Sequence, residues 1–348
     1  MSKKTEIAFF SRKKTAGAFS IGQIFEIIAE AVAAYRPVAE HELPHPSNSI
    51  FNLLRNVDAA RRNAGAGVNH ITGDAHYVAL GIGRGRVVLT IHDCILLMRT
   101  PPNRLKYYLY LWLWYKFPIW KADIITTISE KSKDEIIRFT GCPPDKIRVI
   151  PNCVNPAYRF ERKPFNAQYP RILHIGVAPH KNLGRVAEAL KGIPCVLEII
   201  GQLNENQLDV LKKAGIHYEN SVNLNLGMLA ERYRAADMVV FASLYEGFGM
   251  PIIEAQASGR PVVTSNIEPM PWVAGVEGAC FVDPTDVESI RNGIKKVISS
   301  KSYQETLIEK GLENVQRFSI TRITELYTAV YENLYPAPRQ RAEKLSIK

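Results

Sequence analysis

Asp237-Met-Val-Val-Phe-Ala-Ser-Leu-Tyr-Glu-Gly-Phe-Gly-Met-Pro-Ile-Ile-Glu-Ala-Gln-Ala-Ser-Gly-Arg-Pro-Val-Val-Thr-Ser265 reads as a strand, a glycine loop, a short helix and a second strand. Val239, Val240 and Phe241 form the continuous apolar run of a parallel strand covered on both faces. Pro251 fits the start of a helix, where its missing N–H costs nothing, and Gly259 fits the close. The loop then aims the free N–H groups around Phe248, Gly249 and Met250 at the carboxyl edge of a sheet, a place suited to anions and hydroxyls. Gly247 and Gly249 keep side chains away where a ligand approaches the backbone. Glu246 precedes the loop and Glu254 is expected in the first turn of the helix. Carboxylates only accept hydrogen bonds, so such a pair suits the hydroxyls of ribose or a sugar. The ordinary alternative is a favourable charge on the helix dipole at Glu254 and a solvated loop residue at Glu246.

A chain of 348 residues exceeds one ordinary core, so two domains are expected. Cys94, Cys142, Cys153, Cys195 and Cys280 are scattered without metal or redox spacing, as in a reduced, cytoplasmic protein. Neither a signal peptide nor a membrane span is expected from the apolar runs. Residues 1–165 hold 24 Lys+Arg against 14 Asp+Glu, whereas 166–348 hold 20 of each. The basic excess belongs to the first half, which therefore favours an anionic partner.

In chain order, strands are expected at Ile7–Phe10, Gly67–Ile71, Arg86–Ile91, Asp123–Thr127 and Lys146–Ile150. Helices are expected from Ser20 to about Tyr35 and from Ser129 onward. A strand, glycine-containing loop and helix at the start form the first unit of a doubly wound sheet, although the loop has no Gly-x-Gly-x-x-Gly. His92 and Asp93 end the third of these strands; His70 and His76 flank Asp74 in what reads as a polar loop, either of ordinary loop residues, the preferred reading, or in contact with an acceptor. Residues 104–121 interleave Tyr, Trp and Leu with Lys and Arg, the composition of a helix lying in a membrane interface, or else of a helix packed on both sides. Residues 156–170 read as a linker. Beyond it, strands are expected at Arg171–Val177, Cys195–Gly201, Val222–Leu226 and Ala279–Val282, with helices from Asp286 to Leu334 and a polar tail from Pro336. Lys181 stands at a strand-to-helix junction, where a point charge neutralises a diphosphate.

Glu246-Gly-Phe-Gly-Met-Pro-Ile-Ile-Glu254, with Ala-Asp before it and Ala-x-Ala-x-Gly-x-Pro-Val-Val after it, resembles the signature of retaining nucleotide-sugar glycosyltransferases of family 4. The resemblance is dense from Ile147 onward and looser before. It implies a GT-B fold of two facing, Rossmann-like α/β domains: 1–155 for the acceptor and 171–318 for the nucleotide sugar, with 319–336 crossing back to the first. It implies that Glu254 holds the ribose and that Glu246, with the N–H groups at 248–250, holds the sugar. By the same resemblance Gly17 closes over the donor phosphates, His92 faces the donor sugar, and the turn at Leu226, Gly227 and Met228 supports the base. The family usually has an arginine directly after the glycine equivalent to Gly176; here Val177 stands there, leaving His180 and Lys181 to the diphosphate.

The implied reaction moves a hexosyl group, such as mannose or glucose, from a UDP- or GDP-sugar to a glycan or lipid-linked acceptor in cell-surface polysaccharide synthesis. No cofactor is expected, and with no Asp-x-Asp pair no metal is expected either. A peripheral site on an anionic inner membrane face is open to the basic half; nucleic acid is not expected. The alternatives are a sugar-nucleotide epimerase, a glycan phosphorylase, or a catalytically silent nucleotide-binding subunit.

Overall fold

The structure is a computed structural model and describes residues 6–13, 20–102 and 104–335. The loop position Gly17 and the tail from Pro336 lie outside these residues. The described residues build two parallel six-stranded sheets. The first contains β1 (Ile7–Ser11), β2 (Val38–Glu42), β3 (Val68–Ile71), β4 (Arg86–Ile91), β5 (Ile124–Thr127) and β6 (Ile147–Val149), in the order β2-β1-β3-β4-β5-β6. The second contains β7 (Arg171–Ile175), β8 (Val196–Ile200), β9 (His217–Ser221), β10 (Met238–Phe241), β11 (Val262–Ser265) and β12 (Cys280–Val282), in the order β12-β11-β10-β7-β8-β9. Helices cover both faces of each sheet, which is why the inner strands are almost wholly buried and mostly apolar.

The sequence reading missed β2 and β9, and the strand expected at Val222–Leu226 is absent. That segment turns at Asn223 (φ 54°), and the Asn225 side chain accepts from Met228 N at 2.9 Å to start the helix Leu226–Ala235. Gly227 therefore lies in a helical first turn, not in a turn after a strand. The Asx cap outcompetes the apolar pattern because a carboxamide can satisfy an orphan helix donor and Val222 gains no burial.

Residues 156–170 do not swing free. Asp237 accepts from the Lys163 ammonium, from Asn166 N (3.2 Å) and from Arg171 N (2.7 Å), and Phe160 fills the space above Gly259. This binds the segment to the second sheet.

The helix Ile320–Leu334 returns to the first domain, where Ile323, Tyr327 and Tyr331 are buried among Ile7, Phe9, Ile24 and Phe25. His70 lies in β3, not in a loop at the acceptor. Its Nδ1 is 2.7 Å from Tyr331 Oη and its Nε2 2.7 Å from Thr90 Oγ1, which pairs with Thr126 Oγ1. Burial pushes its pKa down to about 3, so the ring is neutral and fastens the returning helix. His76 is also structural. Pro118 has no N–H to offer the carbonyl of Trp114 four residues earlier, and His76 Nδ1–H donates to that oxygen at 2.8 Å instead.

Residues 105–121 form one helical run that widens into a π turn at Leu111–Lys116. It buries Leu111, Trp114, Tyr115 and Ile119 and exposes Leu105, Tyr108, Trp112, Phe117 and Trp120. The packing is therefore on one face, not on both.

Candidate active site

The carboxyl ends of β7 and β10 place two loops side by side, joined by Leu244 N donating to His180 O at 2.7 Å. From one loop Lys181 reaches Glu246 of the other, Nζ to Oε1 2.7 Å, with the ammonium 4.8 Å from the Phe241 ring centre. Gly176 makes room for this reach. Its φ of +88° excludes most side chains, and a Cβ there would meet the Lys181 stem at 3.0 Å. His180 turns towards the first domain, with Nδ1 3.2 Å from Arg99 Nη2, and burial chiefly lowers its pKa.

The helix after the glycine loop runs Met250–Ala257, capped by Gly249 at φ 111°. Its first turn contains no acid, so Glu254 lies one turn further in than the sequence reading placed it. There it is 7% exposed, with Oε2 accepting from Tyr233 Oη at 2.5 Å and the Tyr158 hydroxyl also beside the carboxylate. The tyrosine rings meet edge to face at 5.2 Å. Burial raises the Glu254 pKa to about 7, against the lowering effects of the two hydroxyls and of Lys181.

The surroundings of Gly247 differ from the sequence reading, which expected a ligand against its backbone. At Gly247 a Cβ would meet His92 O at 3.2 Å and Asp93 Cβ at 3.4 Å, so the close neighbour is the first domain. Phe248 is 3% exposed and packs on Phe318 and Trp272; only its backbone is available to a ligand. Met250 touches the cores of both domains.

His92 comes to the same cleft from the tip of β4. It is 8% exposed, its ring meets Phe25 edge-on at 5.9 Å, and neither ring nitrogen has a hydrogen-bond partner among the described residues. Burial, His76 and Arg12 hold it neutral, with a pKa of about 3. A buried ring with two unsatisfied nitrogens is costly unless something binds it. The cleft thus brings together His92, Lys181, His180 and Glu246, with Glu254 behind them; Gly227 is exposed on the helix Leu226–Ala235, and Gly17 is not described.

Sequence reasoning missed the residues that seat the loop. Ser129, Lys131 and Ser132, at the start of the helix Glu130–Thr140, contact the loop from the other domain, and Glu135, one turn further on, accepts from Tyr245 of the loop. Their only sequence signal was a capped helix. Among the described residues, no group of three or more His, Cys, Asp or Glu side chains is placed to hold a metal ion. A surface cavity of about 720 Å³ lies elsewhere, beside Glu277, Cys280 and Tyr303.

Comparison with known proteins follows the same division. The family profile "Glycosyltransferase Family 4" matches residues 26–158, and "Glycosyl transferases group 1" matches 158–314. The O-antigen chain mannosyltransferase B of Escherichia coli is 30% identical over 238 residues, a stretch covering 61% of either chain, so the match spans about three-fifths of that relative. Sucrose-phosphate synthase from Thermosynechococcus elongatus superposes with a TM-score of 0.78 at 18% identity, over 95% of this chain and 99% of that one. Anabaena HepE, solved in complex with UDP-glucose, gives 0.73 at 15%, over 94% and 100%. These two likenesses establish the two-domain GT-B architecture. With both profiles matching end to end over the two halves, the chain belongs to the group 1, family 4 glycosyltransferases.

Proposed function

We propose that the protein is a retaining, metal-independent hexosyltransferase, taking mannose or glucose from a UDP- or GDP-sugar to a glycan or lipid-linked acceptor of a cell-surface polysaccharide. The observation that carries this reading is the Lys181–Glu246 pair, held at 2.7 Å at the carboxyl ends of β7 and β10. Breaking the anomeric C–O bond to the nucleotide leaves a diphosphate whose growing charge must be met by fixed donors. Lys181 supplies a point charge and the helix beginning at Met250 its free N–H groups. Glu246 then accepts from sugar hydroxyls and Glu254 from ribose. His92, with two unpartnered nitrogens, receives the sugar on the opposite wall. The departing phosphate oxygen takes the acceptor proton, so no carboxylate nucleophile is required. Mannose is favoured as the sugar by the mannosyltransferase relative.

The test is a panel of UDP- and GDP-hexoses, read by thermal stabilisation and nucleotide release with and without chelator. One donor is expected to raise Tm and to release nucleotide at a rate insensitive to chelation. Interconversion of the donor sugar without acceptor would favour the epimerase alternative instead, and indifference to every donor would overturn the proposal.

The acceptor end of this reading includes an anionic membrane surface. Between Asp93 and Asp123 there is no acidic residue, while Arg99, Arg104, Lys106, Lys116 and Lys121 are basic. Leu105, Tyr108, Leu109, Trp112, Phe117 and Trp120 face outward from the same segment. Apolar rings flanked by cations match a leaflet of anionic lipid, where each basic residue contributes about 1 kcal/mol. The protein is expected to float with phosphatidylglycerol vesicles at low salt and to be released by high salt. Trp112→Glu with Trp120→Glu is expected to weaken binding at least ~10-fold. Equal recovery with neutral and anionic vesicles would remove the membrane from the proposal.

A further inference from the structure

The first turn of the helix Glu130–Thr140 belongs to the first domain, yet its polar groups are spent on the sugar-binding loop of the second. Ser129 Oγ donates to Gly247 O at 2.7 Å, and Ser132 Oγ bridges Gly247 O (3.3 Å) and His92 O (3.0 Å). Lys131 Nζ donates to Glu246 O at 3.1 Å and to Glu135 Oε1 at 2.7 Å. The same ammonium lies 3.6 Å from the centre of the Tyr245 ring, whose hydroxyl donates to Glu135 Oε2 at 2.9 Å. Lys131, Glu135 and Tyr245 thus form a closed ring of contacts across the cleft.

Two lysines therefore hold the same residue from opposite domains: Lys181 takes the Glu246 carboxylate and Lys131 its carbonyl oxygen. The peptide between these grips fixes the direction of the following N–H groups at Phe248–Met250. We infer that Lys131, Glu135 and Tyr245 are positioning residues: through contacts made from the first domain they set the donor loop of the second in its working shape, and so make the rate of sugar transfer depend on the first domain. This rests on the transferase reading above. Stability alone is a poor explanation for them. Lys131 and Glu135 have side chains only 19% and 10% exposed, and such pairs contribute little net stability after desolvation, so apolar replacement is often neutral. Placement is different: an error of about 1 Å in a reacting group can cost ~100-fold in rate.

The test compares Lys131→Met, Tyr245→Phe and Lys131→Arg with the wild type. Nucleotide release is measured from whichever of UDP-glucose and GDP-mannose the wild type uses, with hydrogen exchange across residues 245–250 in the unliganded proteins. Lys131→Met is expected to lower kcat at least ~30-fold with donor KM within about threefold, and Tm within about 3 °C of wild type. Tyr245→Phe, which removes one hydroxyl, is expected to act in the same direction by ~5-fold, and Lys131→Arg to restore most of the rate. The loop peptide should exchange faster in the first two variants and at the wild-type rate in the third. Unchanged kcat and exchange in Lys131→Met would overturn the inference, as would rate losses that merely follow Tm. Should the wild type use neither donor, the transferase reading fails on that arm; wild-type exchange in Lys131→Met and Tyr245→Phe would still overturn the clasp.

Discussion

Glu246→Ala is expected to lower kcat for hexosyl transfer by about 10²–10³-fold, leave donor KM within about threefold, and tighten binding of the free nucleoside diphosphate. The opposite signs come from one contact. Without donor, the Glu246 carboxylate holds the Lys181 ammonium at 2.7 Å. A diphosphate must draw that ammonium away, so part of its binding energy is spent on breaking the pair. Removing the carboxylate releases Lys181 to the phosphates but leaves the sugar hydroxyls without an acceptor in the transition state. Lys181→Met is expected to lose both binding and turnover. Steady-state kinetics with calorimetry of UDP and GDP separate the cases. Weaker diphosphate binding by Glu246→Ala would show that the pair does not oppose the ligand.

The second large effect concerns Glu254 and pH. Its carboxyl has a pKa of about 7 in the folded protein against 4.5 unperturbed. The folded state therefore holds a proton that the unfolded state has already lost, and stability falls as pH rises through this window by ~3 kcal/mol. Glu254→Gln removes the titration. The stability of wild type minus Glu254→Gln is expected to decline between pH 4.5 and about 7 and to be flat above. His70 and His92, neutral in the fold down to about pH 3, act with the opposite sign between there and 6.5, but equally in both proteins, and cancel in the difference. Ribose hydroxyls donate to the ionised form, so nucleotide affinity in the wild type should rise with pH through about 7. In Glu254→Gln it should be weaker by ~10–100-fold and lack the part of the rise that comes from Glu254. Chemical denaturation and titration calorimetry across the pH series check both halves; parallel pH profiles for the two proteins would remove Glu254 from the ribose site.

The part of the fold that was legible is the part written in local chemistry. Val239–Phe241, the glycines, Pro251 and the apolar run at Val262 each announce a strand, loop or helix by their own preferences. The two missed strands are both sheet edges: Val38-Ala-Glu-His-Glu42 and His217-Tyr-Glu-Asn-Ser221 are polar because one side of each meets water. No apolar run marks them, and the nearby Val222 drew the assignment instead. For the candidate site, Glu246, Glu254, Lys181 and His92 could be proposed because each lies at a strand end or within a recognisable motif. Their surroundings could not. Tyr233 and Tyr158 come to Glu254 from segments 21 and 96 positions away, and Lys131 meets the loop across 115. Nothing local encodes such meetings. The histidines mislead for the same reason: His70 and His76 flank a loop in sequence, but Tyr331 and the carbonyl freed by Pro118 decide what they do.

The helix Ile320–Leu334, which leaves the second half and is built into the first, has a mechanical consequence. The backbone passes between halves twice, near Val154 and near Phe318, and Val154 N donates to Phe318 O at 2.9 Å, so the two passages are laced together. Any separation of the halves would have to break this bond and draw Tyr327 and Tyr331 out of the first core. Cutting the gene at the linker would split one folding unit and strip Phe9 and His70 of their cover; an excised first half needs residues 320–334 supplied alongside it.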